Sequence, residues 1–260
     1  MKFKKNLFIY ILFNLFIIMA GIPFSVNTSY ALLKWQADYN KAVGLLKNKK
    51  YNSALKISKE ALRESKNPET YELAANVLQF LKEYKLSTHY YKKSLASILK
   101  LNKNNKNTGK FIDSVKNSIA LNYLLRGNNL LKSGKINYAI MLYKKGLKYA
   151  NDRHLSDILM LNTAMGYENS KPNHFKKALY YSNNVIKNNS KNSYAYFIKG
   201  RAEYSIGELE LSLQDLKTAY KLNPKSKLFQ NAVNLVKKDI YYKKHKETNH
   251  IKQISKNLFK

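Results

Sequence analysis

What most constrains this chain is a recurrence of small residues at matched offsets within paired helical patterns. In the clearest copy, Tyr196, Gly200, Tyr204, Gly207, Leu209, Ser212, Leu216, Ala219 and Pro224 alternate large and small side chains at helical spacing. Small residues let two helices nearly touch, large ones fill the gaps between them, and the proline ends the second helix. Aligned on the small residue of each second helix, the copies fall on Ala54, Ser87, Ala139, Ala178 and Ser212, in steps of 33, 52, 39 and 34 residues. A bundle with accidental periodicity has no reason to repeat small residues at such offsets, so a stack of about five helical hairpins is expected. Apolar residues recur at three and four, as in Leu121, Leu124, Leu125 and Leu131, and almost no sheet is expected.

The first copy, residues 35 to 68, has Ala42, Ala54 and Ala61 as its small positions, with Leu45 and Tyr51 filling. The second, 68 to 101, offers Tyr71, Ala75, Leu78, Tyr84, Ser87, Tyr91 and Ser94. Tyr123, Gly127, Leu130, Gly134, Ile136, Ala139, Tyr143 and Gly146 mark the third, 120 to 153. A fourth runs from about 157 to 190 through Ala164, Tyr167, Phe175 and Ala178, with about two extra residues at Lys171, Pro172 and Asn173, and the fifth spans 193 to 226. This pattern resembles the tetratricopeptide repeat, whose period is 34 residues. The resemblance covers most of the chain from 35 to 224. It departs from the family at Glu203, where an aromatic is preferred, and only Pro224 keeps the terminal proline.

The resemblance implies an all-α, right-handed α-solenoid of about five hairpins with a C-terminal capping helix. It also implies a concave face, lined by the first helix of each hairpin, that holds a peptide. Carried over position by position, that face presents Tyr39, Asn40 and Val43, then Glu72, Asn76, Gln79 and Phe80, then Leu124, Leu125 and Asn128. Asn162, Met165 and Glu168 follow from the fourth copy, and Tyr194, Phe197, Arg201 and Tyr204 from the fifth. Asn128 and Asn162 stand where chaperone-binding members keep the asparagine pair of a carboxylate clamp. The clamp's lysine position holds Leu124 and its later basic positions hold Tyr194 and Ile198, so recognition of an acidic chaperone C-terminus is not expected. Phe80, Leu124, Phe197 and Tyr204 among scattered amides suit a peptide with apolar anchors, with Arg201 the best candidate for an acidic contact.

The start of the chain reads as an export signal: Lys2, Lys4 and Lys5, an apolar run from Leu7 to Ala20, then Ser29, Tyr30 and Ala31. Cleavage after Ala31 would make residues 1 to 31 a signal peptide. The alternative is an uncleaved inner-membrane anchor over Leu7 to Phe24. For a bacterial source either places the repeats in the periplasm or cell envelope. With no cysteine, the chain forms no disulfide and carries no lipoprotein thiol.

The formal net charge is +31, which favours anionic partners through long-range attraction. Yet only Arg63, Arg126, Arg153 and Arg201 among the 47 basic residues carry the planar fork used for phosphate and base recognition, so nucleic acid is not the expected partner. The Lys and Asn excess reads first as the bias of an AT-rich genome.

An insertion over 102 to 119 interrupts the array. Asn102 to Lys110 reads as an exposed loop, whereas Phe111, Ile112, Val115 and Ile119 have helical spacing, so a helix is expected from about 111. Past Pro224, residues 225 to 260 read as a capping helix and a basic tail. Leu228, Phe229, Ala232, Val233, Val236 and Ile240 form its apolar stripe. Ile251, Ile254 and Leu258 among Lys252, Lys256 and Lys260 read as a frayed terminus, or as a short amphipathic helix for an anionic membrane or a partner.

No catalytic, cofactor or metal site is expected. The histidines, His89, His154, His174, His245 and His250, lack the helical metal spacing beside a glutamate; Gly109-Lys110 lacks the phosphate-loop glycine, its place being Asn104; and no Gly-x-Ser-x-Gly elbow occurs. The sequence therefore points to a non-enzymatic scaffold of the cell envelope that binds a partner protein or peptide in its groove and supports its stability or assembly. The alternative is a protein that binds polyanions or anionic membrane surfaces through its lysines and C-terminal tail.

Overall fold

The computed structural model describes residues 34–101 and 106–258, the side chains of 106–107 and 247–258 excepted. The expected signal peptide or anchor, 1 to 31, and the start of the insertion, 102–105, lie outside the described residues. Among the described residues there are helices and no strands: α1 (Lys34–Lys47), α2 (Tyr51–Glu64), α3 (Pro68–Phe80), α4 (Tyr84–Lys100), α5 (Lys106–Lys132), α6 (Ile136–Leu147), α7 (Arg153–Asn169), α8 (Phe175–Asn188), α9 (Ser193–Ser205), α10 (Leu209–Leu222) and α11 (Lys227–Leu258).

Successive helices pair as antiparallel hairpins, and the turns inside four of them are built alike. Lys49, Lys82, Gly134 and Gly207 take positive φ of 58°, 65°, 73° and 87°, each at the same place after a first helix. The next residue's N–H reaches back to close the helix: Lys50 to Leu45, Glu83 to Leu78, Lys135 to Leu130 and Glu208 to Glu203, at 2.9 to 3.0 Å. This is the six-to-one closure that ends a helix on a left-handed residue. Glycine adopts that conformation freely, whereas a lysine there pays for its Cβ. The remaining hairpin turns through residues 170–174, where His174 N–H bonds Tyr167 O at 2.9 Å, so the extra residues at Lys171–Asn173 are accommodated in a longer connection.

Starts of the first helices are also alike. The side chains of Asn67, Asp152, Asn192 and Ser226 accept from the backbone N–H of Thr70, Leu155, Ala195 and Phe229, satisfying donors that a helix leaves orphaned.

The small residues within the paired helices are buried, whereas Gly134 and Gly207 lie exposed in the turns, and the close approach is measurable. A Cβ on Gly127 would stand 2.3 Å from Tyr143 Cε1, and one on Gly200 would stand 2.8 Å from Leu216 Cγ. Gly166, which the pattern did not single out, is as tight, at 2.6 Å from Ile140 Cγ1.

The chain divides into two compact units: residues up to Arg126 with Lys148–Leu155, and Gly127–Leu147 with Ser156 onward. In the first, Ala42, Leu46, Ala54, Leu73 and Val77 form a core packed by Tyr39, Tyr51 and Phe80. In the second, Ala164, Ala178, Phe197, Ile198, Leu216, Ala219, Phe229, Val233 and Val236 form a core that runs from α7 to α11.

Three expectations are corrected. Helix α5 begins at Lys106, so 106 to 110 is helix and not exposed loop. Val115 and Ile119, both fully buried, anchor the helix downstream, and extending it backwards costs little even through Gly109. Helix α11 runs to Leu258, as in the second of the two readings of the tail rather than the frayed one, and from 227 to 258 it contains no glycine or proline. Leu228 leaves the capping stripe and is 52% exposed, since Phe229, Val233 and Val236 take the core-facing strip of α11.

Candidate peptide-binding face

The first helices of the second unit are tied together by side-chain bonds spaced about one repeat apart. On the last turns of α5, Asn128 Oδ1 accepts from Asn162 Nδ2 of α7 at 3.4 Å and from the Tyr143 hydroxyl of α6 at 2.8 Å. Glu168 of α7 accepts from Arg201 Nε of α9 at 2.9 Å. The Tyr204 hydroxyl of α9 donates to Asp239 of α11 at 2.5 Å. The ladder exists because successive first helices lie side by side in the repeat, so that a residue late in one helix meets one about a turn earlier in the next.

Around these rungs the face is half open. Asn128, Asn162, Met165 and Tyr204 are half-buried, Tyr194 is 46% exposed, and the Arg201 side chain is 42% exposed. Beneath them lies Phe197, buried, its ring centroid 4.9 Å from Phe229 and 6.0 Å from Tyr194, with the Arg201 guanidinium 5.6 Å above it. Phe197 is therefore a floor for the face and not a side chain standing in it.

The electrostatics follow from burial. Desolvation holds the Glu168 carboxyl above its usual range although Arg201 pulls it down, and its second oxygen is buried without a partner. Burial raises the Tyr143 hydroxyl to about 12. The bond to Asp239 raises Tyr204, which stays a donor at neutral pH. Arg201, expected to meet a foreign acid, already meets one from its own chain. Glu168 stands 33 residues earlier, and that offset of one repeat was the signal by which the pair could have been found.

The first unit uses the same helix positions differently. Asn76 is buried and accepts from the Tyr91 hydroxyl. Gln79 Nε2 donates to Asn122 Oδ1 at 2.8 Å, Asn122 Nδ2 to Ser87 Oγ at 2.8 Å, and Ser87 Oγ to Ala75 O at 2.8 Å. Glu72 is 2% exposed; desolvation first, and the Glu69 charge second, raise its carboxyl to about 8, against the hydrogen bond from Asn76. Tyr39 is half-buried and its hydroxyl is pushed up by burial, Phe80 stacks on Tyr51 at 5.3 Å, Leu124 is buried, and Asn40 alone of these candidates is exposed. The buried members of this set serve the unit's own packing.

Among the described residues no group of three or more His, Asp or Glu could hold a metal ion, and no helix is long and apolar enough to cross a membrane. No protein-family model and no curated protein sequence matches the chain. Solved structures do. The apo form of RapI is similar with a TM-score of 0.52 at 17% identity, over 76% of this chain and 56% of that one. The Hsp90 co-chaperone Cns1 from Saccharomyces cerevisiae has a TM-score of 0.51 at 22% identity, over 55% of this chain and 46% of that one. The chain thus spans about half the length of each. The first TPR of Spaghetti (RPAP3), solved bound to an HSP90 peptide, has a TM-score of 0.43 at 25% identity, over 47% of this chain and 93% of that one. With hairpins that close on one recurring turn, helices that touch through Gly127, Gly166 and Gly200, and first helices laddered at one-repeat offsets, the fold of the chain is the tetratricopeptide-repeat fold.

Proposed function

We propose that the chain is a non-enzymatic scaffold whose second unit binds a partner protein or peptide across the first helices α7 and α9 and the last turns of α5. What carries the reading is the half-open ladder Asn128–Asn162, Glu168–Arg201 and Tyr204–Asp239 over an aromatic floor. Its amides can both accept from and donate to an extended backbone, and Tyr194 and Met165 offer apolar contact for the partner's side chains. An internally paired Arg201 makes the face close to neutral in a strongly basic chain. The partner is therefore read as a segment with apolar anchors and not as an acidic tail.

In this reading residues 1 to 31 export the chain and the scaffold works in the periplasm or cell envelope, where it supports the stability or assembly of another envelope protein. Sequencing the N-terminus of the mature protein tests the export step: Leu32 first is expected, and a retained Met1 on a cytoplasmic protein would contradict it. For the face itself, full-length protein is cross-linked in cells and its partner identified. Tyr194→Ala with Asn162→Ala is expected to weaken that partner about tenfold or more. Tyr180→Ala, on the second helix α8 and 63% exposed, is expected to leave it unchanged. The reverse pattern sinks the proposal.

A further inference from the structure

Helix α11 does two different things along its length. Up to Ile240 it covers the second unit's core with Phe229, Val233 and Val236. Beyond Ile240 each of residues 241 to 246 is exposed, yet the helix runs on to Leu258. At 1.5 Å per residue, that stretch is roughly 27 Å of helix carried past the hairpin it caps.

Its chemistry is biased in one direction. Residues 241 to 258 contain Lys243, Lys244, Lys246, Lys252 and Lys256 against Glu247 alone. Tyr241 and Tyr242 open the stretch side by side, each 57% exposed. Positions 251, 254 and 258, which hold Ile, Ile and Leu, fall on one strip of the helix by their spacing of three and four. Exposed tyrosines, lysines and an intermittent apolar strip on one helix are the composition of an element that lies in a lipid–water interface.

We propose that the C-terminal half of α11 docks the scaffold on an anionic bilayer surface, with the strip of positions 251, 254 and 258 towards the acyl chains, Tyr241 flanking that strip at headgroup level and the lysines against the lipid phosphates. Charge decides between occupants. A second copy of this helix would bring like charges together, whereas an anionic surface attracts each lysine. Nucleic acid shares that attraction, but it gives the apolar positions 251, 254 and 258 nothing to enter, and no arginine occurs after Arg201. The inference is independent of the peptide-binding face, since it uses no residue of the ladder.

The test is made on the full chain carrying Tyr241→Trp in a Trp35→Phe background, so that the fluorescence reports on α11 and not on residues 7 to 24. With vesicles of phosphatidylglycerol and phosphatidylethanolamine, a blue shift and quenching by brominated acyl chains are expected; with phosphatidylcholine alone, neither is. Adding Lys243→Gln, Lys246→Gln and Lys252→Gln is expected to weaken the anionic partition on the order of a hundredfold. Ile251→Ser with Ile254→Ser is expected to weaken it at least tenfold. Equal signals on both vesicle types, or no shift on either, overturn the proposal. Loss on lysine replacement with no change on isoleucine replacement assigns the tail to a polyanion such as nucleic acid, and overturns it equally.

Discussion

The first and second units are made of the same hairpin, yet asparagines on their first helices have opposite fates, Asn76 and Asn128 at equivalent places and Asn162 three positions earlier in its copy. Asn76 is buried beside Glu72 and bonded to Tyr91, while Asn128 and Asn162 stand half-open at a ladder that joins helix to helix. Asn128 still makes the equivalent bond, from Tyr143, fifteen residues on, as Tyr91 lies fifteen from Asn76. The repeat thus specifies one tyrosine-to-asparagine bond, and what packs over it decides whether the amide is structure or surface. In the first unit Asn122 and Ser87 close a polar network. In the second, the ladder leaves amide, aromatic and guanidinium edges partly exposed.

The sharpest way to break this comparison is through charge. Glu72 has its carboxyl raised from 4.5 to about 8, chiefly by burial, with the Glu69 charge adding and Asn76 opposing. The neutral form is then the one the fold prefers. Its stabilising contribution is full below pH 4.5 and is lost as pH rises towards 8. Glu72→Gln should therefore stabilise the protein by on the order of 3 kcal/mol at pH 7 and by almost nothing at pH 4, read from urea midpoints at the two values. In the second unit Glu203 is raised to about 7 but has Lys199 at 3.3 Å, which also bonds Asp215 at 2.6 Å. Glu203→Gln should show the same sign and a smaller gain, because it also costs the lysine a partner.

A smaller effect separates the two polar systems directly. Asn122→Ala strands Gln79 and removes a donor to Ser87 inside the first unit, and should cost about 2 kcal/mol. Asn162→Ala removes a long bond at a half-open face and should cost under about 0.5 kcal/mol while weakening partner binding. Equal losses of stability from the two would erase the distinction between them.

Smallest is the turn that both units share. Lys82→Gly should gain about 0.5–1 kcal/mol by relieving a left-handed lysine, and Gly207→Lys in the second unit should lose a similar amount. Thermal midpoints moving in those opposite directions would confirm that one turn serves both units.

Much of the fold was legible because repetition carries it. Ala42, Ser87, Ala139, Gly200 and Ala219 could be read as contact points, since closeness of two helices restricts side-chain size whatever the surroundings. Lys49 and Lys82 could not be read as turn residues, because the closure of the helix imposes their φ and their side chains carry no sign of it. The start of α5 at Lys106 was hidden because Asn and Gly suit a loop locally, while the buried anchors of the helix lie further along. The site was harder for a different reason. Asn76 and Asn162 look alike as residues, and only the tyrosine, amide and carboxyl groups packed around them separate a closed network from an open face. Arg201 shows the same limit, as its acid lies one repeat away on α7.

The central claim is that a partner meets the first helices of the second unit and not those of the first. It is tested most directly by a photo-cross-linking amino acid placed singly at positions 162 and 76 of the full chain in cells. Adducts with one partner protein at 162 and none at 76 are predicted. Adducts at 76, or the same yield at exposed position 180 as at 162, would contradict it.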